Sequence, residues 1–317
     1  MNPTPSRAAR IVPWALLLAL ALFPLVAPSL DLDYYVGFVR HGLIVMIAAT
    51  SLNFILGYGG MAALGQAGFI GVGAYTVVAL VDAGFTSAWG AWMAAVVVTA
   101  AFAAAIGAVS LRTGGVYFLM ITLAFSQMLY HLAVSLSIWG GDDGYGLHAP
   151  LELGMGLGGA QGRVLYWVVL AVAALLFAFL NRLAVSRFGY ALRGIRDNET
   201  RMEALGYPVY RIKFTAFIAA GAVAGLAGAL LAGHHRFASP SMMHWTESAT
   251  LLVIVVIGGL GRRWGAPLGA AVWLTLTEVL KLYTDYWHWP LGLLLILIVF
   301  LAPKGMAALF DGRGKTA

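Results

Sequence analysis

The chain has 317 residues, 61% of them hydrophobic and 10% charged, with a mean hydropathy of +0.87. That composition lies far outside the range of soluble domains and marks an integral membrane protein, and the lack of any cysteine excludes a disulfide framework or a thiolate metal site. The net charge of +6 does not call for nucleic acid, because the basic residues stand in loops between apolar runs, where orientation in a membrane accounts for them.

Dividing the apolar runs at charged or Gly/Pro-rich breaks predicts an all-α membrane fold with about ten transmembrane helices, over 11–30, 37–57, 67–83, 88–110, 116–138, 164–182, 214–233, 249–261, 266–284 and 289–302. The first run follows Arg7 and Arg10 and lacks a small-x-small cleavage site, so it reads as a membrane helix and not as a cleaved signal peptide. Residues 1–317 then form a single transmembrane domain with both termini cytoplasmic and a short cytoplasmic tail over 303–317. This threading puts fifteen of the nineteen Lys and Arg residues inside and leaves Arg40, Arg163, Arg236 and Lys281 outside.

Between the second and third crossings the stretch SLNFILGYGGMAALGQAGFIGVGAY stays apolar yet holds seven glycines. It is too hydrophobic for solvent and too glycine-rich for a regular helix, so it predicts either small-residue helix contacts or a broken, partly re-entrant segment. The same choice applies to Gly258–Ala270. In the seventh crossing Gly221 and Gly225 have the spacing of a small-xxx-small contact.

The polar groups within the spans are neutral: Asn53, Gln66, Thr122, Ser126, Gln127 and Thr250, with His131 nearer an end. As a set, with Gly59 and Gly60, they are candidates for a route taken by a polar or zwitterionic solute, while interhelical hydrogen bonding accounts equally well for any one of them. Glu278 lies near the outer end of its crossing, three residues from Lys281, and an ion pair between them is the expected arrangement. With no other in-span acid of note, coupling to an ion gradient is the weaker reading.

The one long charged segment is 181–213, NRLAVSRFGYALRGIRDNETRMEALGYPVYRIK. It carries Arg182, Arg187, Arg193, Arg196, Arg201, Arg211 and Lys213 between two crossings and is therefore a cytoplasmic loop. Ala191, Ile195, Met202 and Leu205 recur at helical spacing and define one narrow apolar face. Cap-prone Asp197 and Asn198, and the capping-box spacing of Thr200 with Glu203, predict a second short helix that stops at Gly206 before Pro208. The segment is then either a solvated loop that only sets topology or a surface that docks on a partner through its apolar face.

No GxxxxGK[ST], HExxH or GxSxG occurs, so ATP hydrolysis through a phosphate loop and membrane-embedded hydrolysis are both unsupported. His234, His235 and His244 fall together in an outer loop, but a loose surface cluster lacks the fixed ligand spacing of a structural zinc site, and no metal is assigned.

Seven segments appear in a telling order: 51–75, 114–128, 139–147, 188–206, 239–241, 256–270 and 301–305. Together they resemble the inner-membrane permease subunits of bacterial branched-chain amino acid ATP-binding cassette importers, most of all the LivM-type subunit, over nearly the whole chain. The resemblance implies a permease that is not itself an enzyme and holds no cofactor, with ATP and magnesium bound by partners. Those partners would be a second related permease, two cytoplasmic ATP-binding subunits and a periplasmic or lipid-anchored solute-binding protein. It further implies that 189–206 is the region that couples to the ATPase, through Gly189, Arg193, Arg196, Asp197, Glu203, Ala204, Leu205 and Gly206. The chain departs from the family at Met61, Ala63 and Gln66, where Gln, Ser and His are common, and at Arg262 and Arg263. If those positions select the solute, the same scaffold would import urea, short amides or other small organic acids; an ion-coupled secondary carrier is the reading of a different class.

Overall fold

The computed structural model describes residues 20–24, 33–154, 161–284, 286–301 and 305–307. Most of the expected first crossing and of the cytoplasmic tail, and both termini, lie outside the described residues. The helices are α1 (Asp33–Asn53), α2 (Gln66–Asp82), α3 (Ala88–Ser110), α4 (Val116–Ser135) and α5 (Gln161–Val185). They continue with α6 (Arg187–Asp197), α7 (Glu199–Ala204), α8 (Val209–His235), α9 (Trp245–Gly258), α10 (Gly265–Tyr283) and α11 (His288–Leu301). A π-helical turn, Phe54–Tyr58, extends α1. Five helical stretches are long and apolar enough to cross a membrane: Tyr34–Tyr58, Ala88–Ser110, Val116–Ser135, Val164–Val185 and Val209–His235. The helices α2 and α9, and most of α11, are shorter apolar helices.

In lipid the burial of an apolar side chain gains little, so close packing of backbones holds such helices together. The glycines serve that end. A β-carbon on Gly73 of α2 would overlap the Gly225 carbonyl of α8, and one on Gly228 of α8 would overlap the Ile70 carbonyl of α2. The predicted small-residue pair faces α3, with Gly221 against Ala103 and Gly225 against Thr99. The helices α2, α3 and α8 thereby make one tightly packed unit, and α1 joins it to α5, α9 and α10. Residues 20–24 are helical and attach to α5, where the Tyr166 hydroxyl donates to the Leu20 carbonyl at 2.7 Å.

At the end of the molecule away from α6 and α7, β1 (Tyr145–Gly146) pairs antiparallel with β2 (Phe237–Ala238), Tyr145 opposite Ala238. The Tyr145 hydroxyl donates to Asp82 Oδ1 at 2.8 Å, and this bond to a carboxylate raises the phenol's pKa above its ordinary value.

Candidate functional site

The glycine-rich stretch after α1 is a true break. Helical order stops at Tyr58, the chain turns at Gly60 with φ of +67°, which favours glycine, and α2 begins only at Gln66. Such a break frees backbone groups in a poorly hydrated interior, and they must find partners. Thr122 and Ser248 supply partners at this break, and the other neutral polar residues bond elsewhere in the helix packing. Thr122 Oγ1 accepts from Leu64 N at 3.2 Å, and Ser248 Oγ accepts from Ala67 N at 2.9 Å. Gln66 Nε2 donates to Ser51 Oγ at 2.7 Å and to the Ala220 carbonyl at 3.4 Å, while Ser126 Oγ donates to the Met243 carbonyl at 3.0 Å. Asn53 clamps the second break: Oδ1 accepts from Gly261 N at 2.9 Å and Nδ2 donates to the Arg262 carbonyl at 3.1 Å. Two polar atoms in this set are buried without a hydrogen-bond partner among the described residues, Gln66 Oε1 and Gln127 Nε2. Gly59 is buried and Gly60 exposed.

Met61, Ala63 and Gln66, where the chain departs from the family pattern, are all buried in this break. Arg262 offers its carbonyl to Asn53, whereas Arg263 is exposed.

The charged segment folds as two helices, as its capping residues predict, and of the cap-prone residues it is Asn198 that caps the second: Asn198 Oδ1 accepts from Arg201 N at 2.9 Å. At the other end Ser186 caps α6, its Oγ accepting from Gly189 N at 3.4 Å, and Gly189 lies so close to the Ala184 carbonyl that a β-carbon would overlap it. The helices α5 and α8 run further into the segment than expected, so only 186–208 separates them.

The apolar face divides in a way the spacing does not reveal. Ala191, Leu192 and Ile195 are buried against the rest of the chain, and Met202 packs on Gly194, so most of that face is already covered internally. Leu205 is 66% exposed and Tyr207 46% exposed. The candidate coupling residues divide likewise. Gly189, Arg193 and Arg196 face the chain. Arg193 Nη2 donates to the Ala184 carbonyl at 2.9 Å, and its guanidinium lies 4.5 Å from the Tyr190 ring centre and 5.7 Å from that of Tyr58. Arg196 Nη1 donates to the Gly57 carbonyl at 2.6 Å, and Nη2 pairs with Asp197 Oδ1 at 2.9 Å. Asp197, Glu203, Ala204, Leu205 and Gly206 are exposed, and Lys213 Nζ anchors α7 through Glu199 Oε1 at 2.5 Å. Tyr207 and Gly57 were missed from sequence. A tyrosine just past a helix stop signals exposure only weakly, and the role of Gly57 depends on a contact distant along the chain.

Two expectations at the opposite end need correction. His244 stands apart from His234 and His235, its Nδ1 2.9 Å from Thr246 Oγ1. The third histidine of the cluster is His41, from α1, with ligand nitrogens of the three rings all within 4.8 Å of one another. Arg40 Nε donates to His234 Nδ1 at 2.8 Å, which leaves the ring proton on Nε2 and sets a cation where it would repel a metal ion. Glu278 does not meet Lys281: it accepts from the Tyr34 hydroxyl at 3.1 Å, and Lys281 Nζ lies 5.1 Å from the Trp287 ring centre. Helix spacing put the ion pair within reach, but both side chains turn to aromatic partners on neighbouring segments.

Several long apolar helices, joined by turns with backbone groups bonded to side chains of neighbouring helices, define a multi-pass membrane protein. Residues 34–302 match the family model described as "Branched-chain amino acid transport system / permease component", and the chain belongs to that family. It is 30% identical over 313 residues to the "High-affinity branched-chain amino acid transport system permease protein LivM" of Salmonella typhimurium, covering 92% of this chain and 74% of that one. The protein of the same name from Escherichia coli is 31% identical over 287 residues, covering 83% and 68%. A "Probable branched-chain amino acid transport permease protein LivM" of Methanocaldococcus jannaschii is 28% identical over 202 residues, covering 58% and 57%. No solved structure matches the chain. The protein is thus a permease component of a branched-chain amino acid transport system.

Proposed function

We propose that the chain is the transmembrane permease subunit of an ATP-binding cassette importer of the bacterial inner membrane, carrying branched-chain amino acids or a closely related small solute. It crosses the membrane about ten times with both termini cytoplasmic. It pairs with a second permease, receives solute from a periplasmic binding protein, and holds no ATP or magnesium itself. The observation that carries this reading is the shape of the 186–208 loop. The helix α6 is packed and hydrogen-bonded to the helix break, while α7 and the turn after it present Glu203, Leu205 and Tyr207 outward. A membrane-external turn that exposes apolar side chains among charges, on a stem fixed to the transmembrane helices, suits a water-soluble ATPase partner. Closure of the ATPase pair then moves the loop and alternates access to a pathway. Along that pathway Asn53, Gly59, Gly60, Gln66, Thr122, Ser126 and Gln127 are the candidates, and Gln66 Oε1 and Gln127 Nε2 have no hydrogen-bond partner among the described residues. Weak contacts of this kind suit a route from which solute must also leave.

The test is uptake of radiolabelled leucine into proteoliposomes that hold the complete complex and its binding protein, with unlabelled urea and a short amide as competitors. Leucine uptake that requires ATP on the ATPase side is the expected result. ATP-dependent uptake displaced only by another solute would keep the machine and change its cargo, and uptake that follows an ion gradient without ATP would overturn the reading.

A further inference from the structure

Three interruptions of regular structure meet on the side of the molecule that carries α6 and α7. The first is the end of α1, from Gly57 to the turn at Gly60. The second is the passage from α9 to α10 through Gly259 and Gly261. The third is the returning segment 305–307, where Met306 N donates to the Ile257 carbonyl at 2.9 Å and Gly305 lies directly on Gly259. Gly57 and Gly261 touch backbone to backbone, with no room for a β-carbon on Gly57, and Asn53 bonds both polar groups of the 261–262 turn. The end of α1 and the α9–α10 turn are therefore joined and must move together.

Arg196 reaches into this junction from α6. Its Nη1 donates to the Gly57 carbonyl at 2.6 Å, one of the terminal carbonyls that the end of α1 leaves without an intrahelical partner. The bond is charge-assisted, and a cation there also suits the negative end of the helix dipole. The aliphatic stem of Arg196 covers Gly60, where a β-carbon would come within 2.6 Å of Cγ, and Nη1 stands 3.6 Å from the place a β-carbon on Gly261 would take. Asp197 Oδ1 accepts from both Nε and Nη2, at 3.0 and 2.9 Å, which fixes the plane of the guanidinium and aims the remaining nitrogen at Gly57. The Arg196 side chain is 39% exposed, so a guanidinium that lets go passes to water and not to a dry interior. The bond is strong enough to transmit a pull and cheap enough to break.

We propose that Arg196 is a positioning residue for transport: its guanidinium latches the coupling loop to the joined breaks of α1–α2 and α9–α10, so that displacement of α7 is delivered to those breaks. This rests on the reading of α7 as the ATPase dock. It assigns Arg196 to the inner half of the loop's task, and Glu203, Leu205 and Tyr207 to the outer half.

The experiment uses the complete complex with its binding protein in proteoliposomes and compares Arg196→Ala and Arg196→Lys with the unmutated chain. Three quantities are read: ATPase subunits retained on purification, ATP hydrolysed, and solute moved per ATP. In Arg196→Ala the ATPase subunits stay bound and hydrolysis continues, while solute moved per ATP falls about tenfold, the scale of one charged hydrogen bond. Arg196→Lys, which keeps one donor, recovers part of that ratio. Wild-type solute per ATP in Arg196→Ala would overturn the latch. Loss of the ATPase subunits would overturn it too, by assigning Arg196 to the dock, and so would a parallel fall of hydrolysis and transport with a lowered Tm. Uptake by the unmutated chain without any ATPase is a separate failure, which removes the reading of the loop and the latch with it.

Discussion

Asn53 shows how one side chain can decide a local structure in this protein. It is 3% exposed, and it satisfies a backbone donor and a backbone acceptor in a turn that belongs to another pair of helices. Replacing it with alanine leaves both groups unpaired near the edge of an apolar interior, a cost of about 2 kcal/mol. We expect Asn53→Ala to lower the Tm of the detergent-solubilised protein, and Asn53→Asp, which keeps the acceptor for Gly261 N but buries a charge, to give no rescue. Equal melting of Asn53→Ala and the parent would show that water already substitutes at the turn.

At the scale of elements, the glycines separate into those that hold helices together and those that do not. Gly73 backs directly on the Gly225 carbonyl, whereas Gly37 in α1 has nothing within 4 Å of where a β-carbon would stand. Gly73→Ala must push α2 off α8 and is expected to destabilise by about 1–3 kcal/mol. Gly37→Ala is expected to be neutral or to stabilise by up to about 1 kcal/mol through helix propensity. Thermal melting of the pair checks the assignment, and equal shifts would mean that the α2–α8 contact is looser than the backbone geometry implies. The loop over 186–208 follows a similar logic. The helix α6 turns its apolar residues inward, and the turn after α7 keeps Leu205 and Tyr207 outward.

For the whole molecule, the proposed threading makes a prediction that the absence of native cysteine renders simple to test. A single cysteine at Leu205 is expected to react with a membrane-impermeant maleimide only from the cytoplasmic side. One at Ser137, exposed after the far end of α4, is expected to react only from the opposite side. Labelling of both from one side would mean that the helices between them cross an even number of times and that the ten-crossing threading is wrong.

The sequence by itself determined the membrane class, the family, and the approximate position of each described apolar helix, because hydropathy and length are one-dimensional properties that a bilayer reads directly. It also located the stop at Gly206 and the second short helix capped at Asn198, which act through their own backbone or neighbouring residues, but left the glycine-rich stretch at Gly60 open between a break and small-residue helix contacts. Which polar residues serve which break was decided by the tertiary structure alone: Thr122 meets Leu64, Ser248 meets Ala67 and Arg196 meets Gly57, partners brought together only when the helices pack. The same holds for the errors. His41 completes the histidine cluster in place of His244, Tyr34 takes Glu278 from Lys281, and Ala191 and Ile195 are covered from within. In each case local spacing limits what a side chain can reach, but the choice among partners depends on contacts far apart in the chain that no short-range pattern encodes.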